Sequence, residues 1–440
     1  MHSKTVRTRL LAAVIALCGA TLHVAAQTDS LSLSVEQLFE QGIAQSLRIG
    51  ADQLKEEMAA LRTRTARTLR LPDIEVGLKG GYVGQPVVFE HGISDPTRPD
   101  APDWSQNYAI DFTQPLYRGG KIKYAIRQAD LQRNIAALQT ATDQADLKLE
   151  LLRQYLDLFS LYKQHQVLAR NIAESERRLK DIRQMKREGL ITNNDVLRSE
   201  MQLTDNNLSL LQTENNIRLV SQQLDILLGL DEGLLLRPDT TLLDKVFVLE
   251  SYDDYVLQAY DAAPAMRLLQ QQTELARNNI RLTRADNLPN LSLYASNTLA
   301  RPVSRTLADM YNNNWNVGLS LSYSLSSLYQ NRHKLREARR NVALQRNAEE
   351  QQKQDLRIGI HTAYLKHNEA LQRVEALKLS VRQAEENYRI MRNRYLSQLA
   401  ILTDLLDADN LRLNAELQLT TARTQVIYTY YQLQRAAGRL

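Results

Sequence analysis

The stretch Trp315-Asn316-Val317-Gly318-Leu319-Ser320-Leu321-Ser322-Tyr323-Ser324-Leu325 alternates large apolar side chains with small polar ones throughout. Successive side chains of a strand point to opposite faces, so this is a strand with an apolar side and an Asn, Gly and Ser side. It runs into Leu328-Tyr329, and from Asn331 to Ser397 there is no proline and a single glycine, Gly359. A helix of about 65 residues at 1.5 Å per residue reaches on the order of 100 Å, too long for a compact domain. A short two-faced strand feeding a columnar helix is the unit from which the chain is built.

That unit occurs twice. Trp104 opens a matching segment that also ends in Leu-Tyr, at Leu116-Tyr117, and Ile122 to Glu188 contains neither proline nor glycine. Farther on, Gln154-Tyr155-Leu156 answers Ala363-Tyr364-Leu365, and Asp195-Val196-Leu197 answers Asp404-Leu405-Leu406 at a constant interval. An internal repeat of this length means a duplicated supersecondary unit. Val374, Leu377, Val381, Ala384, Tyr388, Met391 and Tyr395 step by three and four, the seam of a coiled coil, as do Leu152, Tyr155, Phe159 and Tyr162. These aromatics are helix packing, not a cofactor box.

Each repeat carries a second alternating stretch. Ile74, Val76, Leu78 and Tyr82 alternate with Glu75, Lys79 and Gly81, while Tyr108, Ile110 and Phe112 alternate with Asn107, Asp111 and Thr113; Leu291 to Leu299 completes the set. Strands are expected near 73–83, 105–115, 290–299 and 315–325. Gln85–Asp103, with Pro86, Pro96, Pro99 and Pro102, and Ala300–Asn314 read as exposed loops between the paired strands. About ten residues with one apolar face and aromatics at the ends is the pattern of an outer-membrane barrel strand. Four strands cannot close a barrel, so several chains must pool them.

The N-terminus agrees with that destination. Lys4, Arg7 and Arg9 precede an apolar run from Leu10 to Gly19, and Val24 and Ala26 suit a signal-peptidase site, so residues 1–26 read as a signal peptide and Gln27 as the mature start. Leu17 before Cys18 makes a poor lipoprotein signal. Cys18 is the only cysteine, so the mature chain has no thiol, and disulfides, cysteine metal sites and thiol catalysis are excluded together. Losing the three signal cations leaves 52 of the 55 Lys plus Arg against 50 acidic residues. The charges alternate in sign along helical stretches with no basic block, which argues against nucleic acid. No later run of about 18 apolar residues occurs, so a membrane would be entered by strands.

On these residues the sequence resembles the TolC-like outer-membrane efflux protein family over nearly all of the mature chain. The most specific marks are two helix-hairpin tips: Glu188-Gly189-Leu190-Ile191-Thr192-Asn193-Asn194-Asp195-Val196-Leu197, near a turn at 189–192, and Tyr395-Leu396-Ser397-Gln398-Leu399-Ala400-Ile401-Leu402-Thr403-Asp404-Leu405-Leu406-Asp407-Ala408, near a turn at 397–402. The resemblance implies a mainly α protein with a β-barrel part: a homotrimer with four strands per chain in a twelve-stranded barrel over a helical tunnel. Residues 27–230 and 253–440 would be the two structural repeats, joined by a linker at 231–252. It further implies a periplasmic adaptor protein, an inner-membrane pump of the resistance-nodulation-division or ABC type, contact with outer-membrane lipid, and no cofactor or metal. The chain would be the passive exit duct of a tripartite efflux or type I secretion system.

Within the tips, Gly189 and Leu190 should end one helix and Thr192 cap the next, with Asp195 beside its amides. With Gln398 and Leu399 these residues are the expected adaptor-docking positions. Asp404 and Asp407 lie three apart on one helical face, where a three-fold axis would make a carboxylate ring. The family's gate residues match Tyr395, Asp404 and Asp407. Two departures stand out: Gln398 replaces the family's usual Gly, and Ala400 stands where some members have an Arg that pairs across the gate. The histidines His91, His165, His333, His361 and His367 show no metal-ligand spacing and read as solvated or seam-edge, so no enzyme is expected. The rival reading is a periplasmic coiled-coil adaptor or structural protein, which would lack the duplicated lipid-facing strands.

Overall fold

The computed structural model of the protein describes residues 30–89, 92–239, 242, 245, 247–301 and 309–440. The signal segment, Cys18 and His91 lie outside them. In chain order the elements are β1 (Ser30–Leu33), α1 (Val35–Gln45), α2 (Leu47–Thr68), β2 (Asp73–Tyr82), β3 (Val88–Phe89), β4 (Pro96–Thr97), β5 (Trp104–Arg118), α3 (Lys121–Arg187) and α4 (Asn193–Leu228). Then follow β6 (Leu235–Pro238), α5 (Tyr252–Ala262), α6 (Pro264–Ala285), β7 (Asn290–Arg301), β8 (Asn312–Ser322), α7 (Ser327–Leu396) and α8 (Leu402–Ala436). The duplication extends to the lengths: α1 and α5 both have 11 residues, α2 and α6 both 22, and the long helices α3 and α7 have 67 and 70.

The residues gather into two compact units. One comprises residues up to Ser46, Leu147–Val248 and Lys366–Tyr431; the other comprises Leu47–Asp146, Leu249–Leu365 and Gln432–Leu440.

The second unit holds a four-stranded antiparallel sheet in the order β2-β5-β7-β8. Residues directly opposite share a face, so the register sorts the side chains. Val76, Ile110, Asn297 and Trp315 line up across all four strands, as do Ile74, Phe112, Ala295 and Val317. On the other face Glu75, Asp111, Ser296 and Asn316 align. The apolar face is uncovered: Val76, Ile110, Trp315, Val317, Leu319 and Leu321 are all exposed. On the polar face the Tyr294 ring lies over Gly318, where an added Cβ would come within 2.7 Å of the hydroxyl. That contact explains a glycine in mid-strand.

The strand bounds differ from the sequence reading at two places. β5 runs on to Arg118, past Pro115, because β2 pairs only as far as Thr113 and a register shift between Pro115 and Tyr117 accommodates the missing amide. β8 starts at Asn312 and stops at Ser322, so Tyr323 and Leu325 lie beyond the strand although the alternation continues through them. Turn-forming serines intervene instead: Ser327 donates its amide and hydroxyl to the Ser324 carbonyl at 3.2 and 2.6 Å and starts α7. In the same unit, Tyr255, Ala259, Ala263, Met266, Ile360, Leu433 and Ala437 belong to one buried apolar cluster.

In the first unit, β1 and β6 pair in parallel and are locked by Tyr155, whose buried hydroxyl donates to the Leu33 carbonyl and accepts from the Asp239 amide, both at 2.7 Å. The coiled-coil seam is present, with Leu152, Tyr155, Phe159, Val374 and Tyr395 buried. His367 departs from the solvated or seam-edge reading. It is fully buried in the seam, with Nδ1 3.0 Å from the Thr429 hydroxyl, and burial holds its pKa below the ordinary value. No described helix is long and apolar enough to cross a membrane.

Asp225 of α4 is fully buried, and neither carboxylate oxygen has a hydrogen-bond partner. Burial, reinforced by Asp231 and Glu232, pushes its pKa up to about 6. Since the folded state then binds the proton more tightly than the unfolded chain, stability declines as pH rises through the interval from about 4 to 6. Asp225→Asn is therefore expected to raise the unfolding midpoint at pH 7.5, with a gain on the order of 2–3 kcal/mol, and to leave it nearly unchanged at pH 4. Thermal unfolding at the two pH values measures this difference.

Candidate functional site

The two hairpin tips lie in the first unit and are built on one plan. At the end of α3, the Gly189 amide donates to the Lys186 carbonyl at 3.0 Å and the Leu190 amide to the Met185 carbonyl at 2.9 Å. At the end of α7, the Gln398 amide donates to Tyr395 at 2.9 Å and the Leu399 amide to Arg394 at 2.8 Å. Both are Schellman caps, which need a left-handed residue at the first position past the helix. Gly189 has φ 74° and Gln398 φ 59°, the latter being the one described non-glycine residue with positive φ. The departure noted in the sequence is thus a strained residue in the position where glycine costs nothing.

The following helix starts differ. At the first tip, the Asp195 carboxylate accepts from the Thr192 amide at 2.9 Å and from the Thr192 hydroxyl at 2.7 Å, which ties down the first turn of α4. At the second tip Ile401 stands before α8 and has no side chain that could cap. Asp404, the counterpart of Asp195, is exposed, as is Asp407, and neither forms an ion pair or side-chain hydrogen bond among the described residues. Their shared exposed face is real, while the cap that would have explained Asp404 as a purely local stabiliser is missing. Favourable interaction with the helix dipole is all that the fold gives Asp404.

Tyr395 does not join the aspartates. It is 6% exposed and packs with Leu179, Ile182, Val196, Leu402, Leu405 and Leu406 in the core that holds the two tips together. Burial raises its hydroxyl pKa, and Asp195 adds to the effect while Arg178 opposes it. Leu190 and Leu399, the residues after the two left-handed positions, are 50% and 69% exposed. Arg198 bridges the hairpins by donating to the Thr403 hydroxyl at 2.6 Å.

Just above this core is a buried polar network that sequence reading missed. Asp409 accepts from Arg178 Nη1 at 2.8 Å, from Arg412 Nη2 at 2.9 Å and from Asn171 Nδ2 at 3.2 Å; Asn206 donates on to Asn171 at 2.7 Å. Arg412 also stacks on the Tyr388 ring, 4.2 Å from its centroid, and reaches Glu174 at 2.5 Å. The available signal was a polar residue at positions where the heptad demands an apolar one, as in the single polar residues that set coiled-coil register.

A chain of long paired helices bearing a two-faced sheet is an architecture shared with solved outer-membrane channels. The protein is similar to VceC of Vibrio cholerae (17% identity, TM-score 0.76, covering 92% of this chain and 96% of that one). It is also similar to CusC (16%, 0.78, 93% and 93%) and to a membrane protein from Pseudomonas aeruginosa (17%, 0.77, 92% and 90%). No match was found among curated protein sequences. The profile of the outer membrane efflux proteins matches residues 38–230 and 256–439, and the chain belongs to that family. It is an outer-membrane efflux channel subunit, and its family and structural neighbours are channels, not enzymes.

Gln398→Gly is expected to stabilise the second tip by about 1 kcal/mol, because it removes a left-handed Gln without touching a contact. Gly189→Ala should cost about as much at the first tip, where no atom lies within 4 Å of the added Cβ and only the backbone conformation resists. Amide hydrogen exchange around 395–401 and 186–192 reads both changes separately.

Proposed function

We propose that three copies of the chain close a twelve-stranded barrel in the outer membrane and that their hairpin tips meet a periplasmic adaptor working with an inner-membrane pump of the resistance-nodulation-division or ABC type. The observation that carries this is the sheet. Its apolar face is uncovered, and β2 and β8 are left as edges. A sheet in hydrocarbon must have every backbone group paired, so β2 of one copy would pair with β8 of the next. Eight strands leave a barrel filled by its own side chains, whereas twelve leave room for a passage. The alternative of a periplasmic adaptor or structural protein has no use for such a sheet.

The tips supply the two remaining roles. Leu190 and Leu399, exposed at the extreme of each hairpin and backed by Gly189, Thr192, Asp195 and Gln398, offer an apolar contact for the adaptor. Asp404 and Asp407 supply the gate ring, where three copies of an unpaired carboxylate pair narrow the entrance and favour cations. Tyr395 acts in the gate through the core that seats the aspartates. The chain moves cargo without covalent chemistry, the energy coming from the inner-membrane partner.

Protein extracted from outer membranes in mild detergent should have a native mass three times that of the chain and show three-fold rings end-on by electron microscopy. A monomer would remove the barrel. In planar bilayers, Asp404→Ala with Asp407→Ala should abolish block of the channel by multivalent cations, and unchanged block would remove the carboxylate ring while leaving the barrel standing.

A further inference from the structure

Where the sheet passes into the long helices, the strand register defines a rim. Tyr117 of β5, Leu291 of β7 and Leu321 of β8 stand level on the apolar face, and Arg118, Asn290 and Ser322 form the next row. β5 and β8 therefore end at one level, and α3 and α7 start just beyond it. Tyr117, Tyr323 and Tyr329 are exposed there. Tyrosine, with an apolar body and a polar tip, settles at the boundary between hydrocarbon and water.

Past the rim the charge is one-sided. From Leu116 to Ala129 there are four cations and no carboxylate, and from Leu325 to Ala348 six cations and Glu337 alone. Arg118, Lys123, Arg127, Arg332, Arg336 and Arg340 are exposed, and none forms an ion pair among the described residues. Tyr329, Arg332, Arg336 and Arg340 step by three and four and so share one side of α7. The far end of the sheet has the opposite bias, since the loop Gln85–Asp103 holds four carboxylates against Arg98. Each repeat supplies half of the cations, and the register brings the halves level.

Within the fold these cations are unfavourably placed. A helix N-terminus carries partial positive charge and favours carboxylates. α1, α4, α5 and α8 each have at least one in the first turn, whereas α3 and α7, which start at the rim, have none. α3 begins instead with Lys121 and Lys123, of which only Lys121 is relieved, by Asp286 at 2.6 Å. Cations that gain nothing from their own chain and border an uncovered apolar face call for an external anion held at that border.

Resting on the barrel reading above, we propose that this rim is a collar for anionic phospholipid headgroups, the side chains at the starts of α3 and α7 engaging lipid phosphates just beyond the level that Tyr117, Tyr323 and Tyr329 mark. Arginine suits that partner because its planar fork takes phosphate oxygens in pairs. The collar sets the depth of the sheet in the bilayer and fixes which end of it meets the anionic leaflet. A nucleic acid or an acidic protein at this surface would have no use for the apolar border.

The test is electron spin resonance of spin-labelled lipids in bilayers reconstituted with the full-length protein. Contact with the barrel gives a motionally restricted component whatever the headgroup, while the collar adds selectivity for phosphatidylglycerol over phosphatidylcholine. At low ionic strength a preference of about fivefold is expected, the worth of one cation near an anionic surface. It should collapse in about 1 M sodium chloride, where the screening length is only about 3 Å. Arg118→Gln, Lys123→Gln and Arg127→Gln combined with Arg332→Gln, Arg336→Gln and Arg340→Gln should bring the preference to parity and leave the restricted component in place. Either set of three should remove part of it, which decides the matter if the sixfold variant does not incorporate. Arg177→Gln, Lys180→Gln and Arg392→Gln, an equal loss of charge in the other unit, should keep the full preference. Parity in the wild type, or full preference in the substituted rim, overturns the collar and leaves the barrel standing; absence of any restricted component overturns both.

Discussion

A peptide group in hydrocarbon has no water to bond, and this constraint organises the molecule. The sheet β2-β5-β7-β8 turns a continuous apolar face outward and ends in two unpaired edges. In water such a surface would aggregate; in lipid the face is satisfied but the edges are not. The closure with other copies proposed above would pair those edges, and on that reading the four strands commit the chain to assembly before any helix is considered. In the proposed assembly the helical repeats would share the sheet's symmetry, because α3 follows β5 directly through Gly119 and Gly120, and α7 follows β8 within a few residues.

The long helices face the opposite problem, since a seam of heptads leaves register weakly fixed along its length. Apolar residues such as Val374 and Leu152 bury area at many alternative registers, whereas the Asp409 cluster is satisfied at one. A buried ion pair adds little net stability, but a sliding helix would strand Arg178 and Asp409 without partners, at a cost of about 3–5 kcal/mol. The cluster therefore specifies how the hairpins meet. It sits beside the tips, where a register error would displace the tip residues.

Much of this was legible in the sequence because the signals are periodic. A period of two over Trp315–Ser322 and a period near 3.5 through Val374–Tyr395 each follow from backbone geometry, and the duplication let each half check the other. What escaped was set by contacts distant in sequence. The alternation at Tyr323 and Leu325 continued the strand pattern, yet the serine turn at Ser324–Ser327 ended it. The burial of His367 depends on Thr429, 62 residues away. The Asp409 network joins residues up to 238 apart, so no local pattern could pair its members. At the candidate site, the left-handed turn was marked by Gly189 in one repeat and disguised as Gln398 in the other.

That disguise bears on where function lies in a duplicated chain. Gly189 and Gln398 are separated by the same interval as Asp195 and Asp404, so each pair began as one residue. The first tip has kept the stable solution, with glycine in the left-handed cap and Thr192 and Asp195 closing the next helix. The second has given up both, accepting a strained Gln398 and an uncapped α8 behind Ile401. Local stability lost at one of two equivalent positions, while the other keeps it, means the fold does not require the loss. The weakened tip is also the one whose aspartates are exposed and unpaired. A strained cap and an uncommitted carboxylate pair fit the gate proposed at this tip, where local opening costs least, and the better-capped first tip fits a fixed counterpart in that proposal.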